Sequence, residues 1–151
     1  MKNRNDPFMV LMADDDEDDC FLVDSAFREM AVAHDLRFVG DGKELLDYLL
    51  NEGDFADPET FPKPDLILLD LNMPRIDGRE ALVKIKSDPQ LREIPILILS
   101  TSKEERDIAL SRETGASSFL SKPADFEKFA EMLERFCLAI LHDPHIPFQV
   151  R

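Results

Sequence analysis

Among the all-apolar segments of this 151-residue chain, three are short and bounded as strands are. They are Phe8-Met9-Val10-Leu11-Met12-Ala13, the run Leu66-Ile67-Leu68-Leu69 after Asp65, and the run Ile96-Leu97-Ile98-Leu99 after Pro95. Each has the length of a strand, and none alternates apolar with polar residues. A strand that is apolar on both faces must be covered on both faces. Such strands belong to a parallel sheet with helices above and below, joined by right-handed crossovers. This excludes an all-helical bundle and a sheet with one solvated face.

The segments between these runs supply the helices. Residues 17–33 place Phe21, Leu22, Ala26, Phe27 and Met30 on one stripe. Residues 44–50 continue a helical pattern after Gly40-Asp41-Gly42. Residues 79–86 turn Ala81, Leu82 and Ile85 inward and stop before Asp88-Pro89. Residues 104–113 stop at Gly115, a favourable helix C-terminal residue. Residues 125–141 carry Phe126, Phe129, Leu133, Phe136, Cys137 and Ile140 along one face. Residues 36–39 and 118–120 complete a set of five strands, at 8–13, 36–39, 65–69, 95–99 and 118–120. Arg37 marks the second strand as an edge. Residues 51–63, with Gly53, Pro58 and Pro62 among acids, read as a surface loop, and the two prolines of 143–151 suggest a loosely ordered tail.

Five strands alternating with five helices predict an α/β, flavodoxin-like (βα)5 doubly wound parallel sheet in the order 2-1-3-4-5. One domain, residues 1–151, is expected, with its core at 8–141 and a tail at 142–151. In this topology ligands bind beyond the carboxyl ends of strands one and three. The residues at the strand ends therefore decide function. Strand one ends in Asp14-Asp15, strand three in Asp70, strand four in Ser100-Thr101 and strand five in Lys122-Pro123. Three carboxylates, a hydroxyl and an ammonium converge there, although folding does not require it.

Carboxylates this close cannot all remain ionised without a counter-charge. A hard divalent cation is the natural partner, and Mg²⁺ favours a few carboxylates together with waters and phosphate oxygens. A carboxylate in such a place can act as a nucleophile and form an acyl phosphate, with a lysine neutralising the phosphoryl oxygens. Asp14 begins a run of six acids ending at Asp19. Asp14 and Asp15 are assigned to the chemistry. Asp16 is placed to cap the first helix, and Glu17, Asp18 and Asp19 suit its dipole.

Composition narrows the partners. A net charge of −14 opposes binding to nucleic acid or to an anionic membrane surface. No apolar run approaches the length of a membrane span, and the N-terminus lacks a signal-peptide core, so a cytoplasmic location is expected. Cys20 and Cys137 read as buried free thiols.

The motifs VLMADDDEDD, DGKELLDYL, PDLILLDLNMPRIDGRE, IPILILSTS and GASSFLSKP together resemble a receiver domain of two-component response regulators. The resemblance extends from Phe8 to Leu141. It implies that Asp70 is the phosphoacceptor, supplied by a phosphohistidine of a sensor histidine kinase. It implies that Asp14 and Asp15 hold Mg²⁺ (or Mn²⁺), Asp15 directly and Asp14 through water, with the backbone carbonyl of Asn72 as a further ligand. The Asn72 side chain, with Ser102, would tune dephosphorylation. Ser100 would follow the phosphoryl group, Lys122 would pair with the acids, and the Lys122–Pro123 bond would be cis. Phe119 takes the switch-aromatic position without a phenolic hydroxyl. The signalling surface would be that of helix four, strand five and helix five.

A narrower resemblance is to stand-alone regulators paired with bacterial phytochromes. It rests on the loop at 51–64, Ser87-Asp88-Pro89-Gln90-Leu91 before Ile94-Pro95, residues 100–108 and the apolar helix end at 136–141. Ala13 and Asp16 depart from the usual pattern without touching the chemistry. Ten residues after the last helix leave no room for an effector, so output would pass through partners, with a homodimer expected from leftover apolar surface at Phe129, Met132, Phe136 and Leu138. A relay or phosphate-sink role is an open alternative. A haloacid-dehalogenase-like phosphohydrolase is another, with Asp14-x-Asp16 as its paired aspartates, but Asp18 stands where threonine or valine belongs. A calcium loop fails because Asp19 and Ser25 fall where its glycine and glutamate should stand. Flavin phosphate would be repelled by the acidic run, and the remaining reading is a plain scaffold.

Overall fold

The computed structural model describes residues 7–101, 104–122 and 125–150. Its strands are β1 (Phe8–Ala13), β2 (His34–Val39), β3 (Leu66–Asp70), β4 (Ile96–Ser100), β5 (Ser118–Ser121) and β6 (Gln149–Val150). Its helices are α1 (Glu17–Glu29), α2 (Gly42–Leu50), α3 (Gly78–Ser87), α4 (Glu105–Thr114) and α5 (Phe126–His142). The strands form a parallel sheet in the order β2-β1-β3-β4-β5-β6. The expected 2-1-3-4-5 order is present, and a sixth strand extends it.

Alternation along each buried strand divides the core in two. Met9, Leu11 and Ala13 join Ile67, Leu69, Ile96, Ile98 and Phe119 beneath α2, α3 and the Ile108 side of α4. Phe8, Val10 and Met12 join Leu66, Leu68, Leu97, Leu99 and Leu120 beneath α1 and α5. Full burial of such side chains contributes about 1.5–3 kcal/mol each, so slipping one central strand by a residue would exchange the two sets and is strongly disfavoured.

Aspartates start four of the five helices. The side chains of Asp16, Asp41, Asp77 and Asp125 accept from backbone amides in the first turns of α1, α2, α3 and α5. A cap of this kind is worth about 1 kcal/mol. Helix α1 ends at Glu29 rather than at residue 33, because the chain must already be extended at His34 to pair with Phe8. Two glycines are fixed by close approach. A Cβ at Gly42 would overlap the carbonyl of Ile76, and one at Gly78 would overlap the carbonyl of Asp70. The loop after β3 therefore folds back tightly onto the strand end that carries Asp70.

The segment at 51–63 is more ordered than a plain surface loop. A 3-10 turn at Gly53–Phe55 stacks Phe55 edge-on against Phe61, with ring centroids 5.1 Å apart, and both rings meet Tyr48. Asn51 Nδ2 donates to the carbonyls of Phe55 and Phe61.

The tail corrects the expectation of looseness. Gln149 and Val150 pair with Ser118 and Phe119, and the Ser118 hydroxyl donates to the Gln149 carbonyl. Phe148 lies beneath the Arg112 guanidinium of α4, 5.2 Å from ring centroid to cation, and Ile146 packs on the α1/α5 side. An open β5 edge would be a pairing hazard, and these residues cover it. The surface of α4, β5 and α5 expected for signalling is thus partly occupied by the chain itself. Phe129 and Phe136 are buried and Met132 is half-buried. Leu138 and Leu141 are the exposed apolar residues of α5. Cys137 is buried and Cys20 half-buried, and both are free thiols.

Candidate metal centre

Asp14 and Asp15 follow the last residue of β1, Asp70 is the last residue of β3, and Ser100 is the last of β4. Lys122 follows β5, and its backbone amide donates to the carbonyl of Ser100 at 2.9 Å. Carboxylate oxygens of Asp14, Asp15 and Asp70 all lie within 4.8 Å of one another. Asp14 and Asp70 are 3% and 6% exposed, whereas Asp15 faces solvent. The expected cluster is therefore present, with two acids inside the cleft and one at its mouth.

Among the described residues, Lys122 is the cation of the cluster. Its Nζ lies 3.0 Å from Asp14 Oδ2, 2.6 Å from Asp19 Oδ2 and 3.5 Å from Asp70 Oδ2. Burial disfavours its charge, yet bonding to Asp19 and the charges of Asp70 and Asp14 outweigh burial and raise its pKa. The ammonium is thus locked on. One positive charge does not balance these acids. Burial pushes Asp14 up to about 6, although the Asp16 amide and Lys122 pull in the other direction. Burial also raises Asp70, against the pull of Lys122 and the Asn72 amide. Protonation of a carboxylate is one way to relieve the excess negative charge, and a divalent cation is the other. The donor set is all oxygen and two of its members are buried, which fits a hard cation such as Mg²⁺ or Mn²⁺.

The other sequence-predicted residues divide as follows. The Asn72 amide donates to Asp70 Oδ1 at 3.2 Å, which places the exposed Asn72 directly beside the cluster. Ser100 is fully buried at its strand end. Phe119 is fully buried as well, with its ring in the core beneath α2, α3 and α4. Ser102 and Pro123 lie outside the described residues, and with them the expected cis bond. Asp16 does not enter the cluster. Its carboxylate accepts from the amides of Asp18 and Asp19, so the second aspartate that a dehalogenase-like hydrolase needs is spent on a helix cap.

Sequence reasoning missed three participants. Asp19, which by sequence only suits the helix dipole, is aimed at Lys122 by the first turn of α1. Nothing in the acidic run distinguishes it from Asp18 before the helix is oriented. Arg79 pairs with Asp107 through two bonds of 2.8 and 2.9 Å. Arg75, left-handed at φ 65°, pairs with Asp41 at 2.6 Å. These partners are distant in sequence and have no local signature.

Comparison with known proteins agrees with this geometry. Residues 10–134 match the response regulator receiver domain family. The chain is 35% identical over 130 residues to the response regulator Rcp1 of Synechocystis sp., covering 86% of each chain. The structure of the phosphorylated cyanobacterial phytochrome response regulator RcpA is similar at a TM-score of 0.79 and 37% identity, over 87% of this chain and 91% of that one. The Mn²⁺-bound form of Rcp1 is similar at a TM-score of 0.78 and 32% identity, over 92% of this chain and 95% of that one. The carboxylate cluster at the sheet's carboxyl edge, the parallel sheet order and these likenesses agree, and the chain belongs to the receiver domain family of response regulators.

Proposed function

We propose that Asp70 accepts a phosphoryl group from a phosphohistidine of a sensor histidine kinase, in a step that requires Mg²⁺, or Mn²⁺ in its place. The observation that carries this reading is the buried carboxylate of Asp70 at a strand end, sharing the Lys122 ammonium with Asp14 and Asp19. One Asp70 oxygen attacks phosphorus as the bond from phosphorus to the imidazole nitrogen breaks, and the imidazole leaves with its electron pair. Lys122 offsets charge on the transferring oxygens. Asp14, Asp15, Asp70 and the Asn72 carbonyl would hold the cation, which supplies further charge neutralisation when bound.

The phosphoryl group ends on the protein's own side chain, so the protein is a switch rather than a turnover enzyme. Its sole self-directed chemistry is assistance to its own phosphorylation and dephosphorylation. Ser100 and Phe119 would carry the change toward the surface of α4, β5 and α5 by a population shift. The likeness to a phytochrome response regulator supports a phytochrome-type kinase as donor. Exposed Leu138 and Leu141 support a homodimer. No described helix is long and apolar enough to cross a membrane, which is compatible with a cytoplasmic partner.

The test is incubation with Mg²⁺ and acetyl phosphate, followed by intact-mass measurement, with Asp70→Asn as control. Wild type should gain one acid-stable, base-labile phosphoryl group and the variant none. Equal labelling of both, or of neither, overturns the assignment.

A further inference from the structure

The Arg79 guanidinium reaches three groups from the second residue of α3. Its Nε and Nη2 bind both oxygens of Asp107, which is buried in the first turn of α4. Its Nη1 donates to the Leu71 carbonyl at 3.4 Å, directly after Asp70, and to Asn72 Oδ1 at 3.3 Å. Asn72 in turn donates its backbone amide to Asp70 Oδ1. A continuous chain of polar contacts therefore runs from Asp70 through Asn72 and Arg79 to α4.

We propose that Arg79 is a positioning residue that prolongs the life of the phosphoryl group on Asp70 by fixing which end of the Asn72 amide faces outward. The inference rests on Asp70 being the phosphoacceptor. Arg79 carries only donors, so it can hold only the oxygen of the Asn72 amide. Nδ2, also only a donor, is then the end with no protein partner among the described residues. Hydrolysis requires a water oxygen to attack phosphorus while the phosphorus–oxygen bond to Asp70 breaks. Asp70 leaves as carboxylate, and the proton lost by the water passes to phosphate or solvent. A group that accepts a hydrogen bond from that water orients it and assists the attack, whereas Nδ2 cannot accept. Asn72 is exposed and its backbone amide is tied to Asp70, so its side chain lies at the solvent-facing edge of the phosphoacceptor. With Arg79 in place the assisting oxygen is turned toward the guanidinium. Without it the amide can turn and offer that oxygen to water.

Asp107 explains why the position calls for arginine. The bidentate pair fixes the guanidinium plane, and the remaining nitrogen is thereby aimed at the loop after β3. Lysine could keep a charge contact with Asp107, but its single nitrogen cannot hold Asp107 and Asn72 in this geometry. Arg79→Lys thus separates the tether to α4 from the hold on Asn72.

The experiment is loss of label after phosphorylation by acetyl phosphate and rapid desalting, in Mg²⁺, for wild type, Arg79→Lys, Asn72→Ala and the Arg79→Lys/Asn72→Ala pair. A second variant, Arg79→Gln/Asp107→Asn, avoids leaving a buried charge unpaired and keeps the test independent of folding defects. Arg79→Lys and the neutral pair should lose label several-fold faster than wild type, with little change in the rate of gaining it. In the Asn72→Ala background the arginine change should have no further effect. Unchanged lifetimes in both variants, or the same acceleration in the Asn72→Ala background, overturn the inference. Wild type that takes no label would instead remove the phosphoacceptor assignment itself.

Discussion

Lys122 Nζ stands 3.0 Å from Asp14 Oδ2, an ion pair that joins the end of β5 to the end of β1 across two intervening strands. Both side chains are nearly sealed from water. Removing one partner of a buried pair leaves the other uncompensated, at about 3–5 kcal/mol. Here Asp19 and Asp70 lose their cation as well. Lys122→Met should therefore destabilise the metal-free protein by about 3 kcal/mol. Added Mg²⁺ should recover more stability in the variant than in wild type, because binding to the folded state alone raises its stability. Thermal melts with EDTA and with Mg²⁺ check both parts.

Asp14 gives the pH dependence its sign. Its folded-state pKa, about 6, lies above the ordinary value of 3.8. Its contribution to metal-free stability is complete below the lower value and is lost as pH rises through the higher one. Asp14→Asn removes that loss, keeps an oxygen to accept from the Asp16 amide, and leaves Lys122 paired with Asp19 and Asp70. In EDTA the variant should be more stable than wild type near pH 7.5 by about 1–2 kcal/mol, or a few degrees in Tm, with a smaller gap near pH 4.5. A gap of the opposite sign near neutrality would contradict the reading.

Metal binding should share this titration. The cation competes with a proton for Asp14, so Mn²⁺ affinity should fall as pH drops through about 6. Free Mn²⁺ measured by electron paramagnetic resonance gives the affinity directly. In Asp14→Asn the affinity should be weak throughout, and its pH dependence near 6 should disappear.

Gly78→Ala should damage the centre without altering any polar group. The new Cβ would overlap the carbonyl of Asp70, and backbone, unlike a flexible side chain, cannot move aside cheaply. A loss of about 1–3 kcal/mol is expected, together with weaker Mn²⁺ binding from the displaced strand end. Denaturant melts and the same resonance titration report the two effects.

Removing residues 143–151 should expose the outer edge of β5. The chain would lose the packing of Ile146 and Phe148 and the pairing of Gln149 and Val150. About 1–3 kcal/mol of stability should go with them. Amide exchange should quicken in β5, and self-association should increase as its edge opens.

The central sheet was legible from Phe8–Ala13, Leu66–Asp70 and Ile96–Ser100, because side chains apolar on both faces have one common solution. Strand order and the topology of the binding edge then make Asp14, Asp15, Asp70, Ser100 and Lys122 candidates from sequence alone. The helix cap at Asp16 was equally local, since a cap is decided within four residues. What the sequence by itself determined was therefore the sheet, the edge that carries chemistry and most of the residues on that edge.

Tertiary structure decided the rest. Whether Asp18 or Asp19 meets Lys122 depends on the rotation of α1 over the sheet, which is set by packing of Val23, Ala26 and Phe27. Arg79 and Asp107 are separated by 28 residues and meet only because α3 and α4 lie side by side. The six-residue gap between α5 and β6 carries no strand pattern. Gln149 and Val150 become a strand because β5 offers them an unpaired edge. Backbone and side-chain patterns report what a residue needs nearby, whereas these pairings are supplied by segments that only folding brings near.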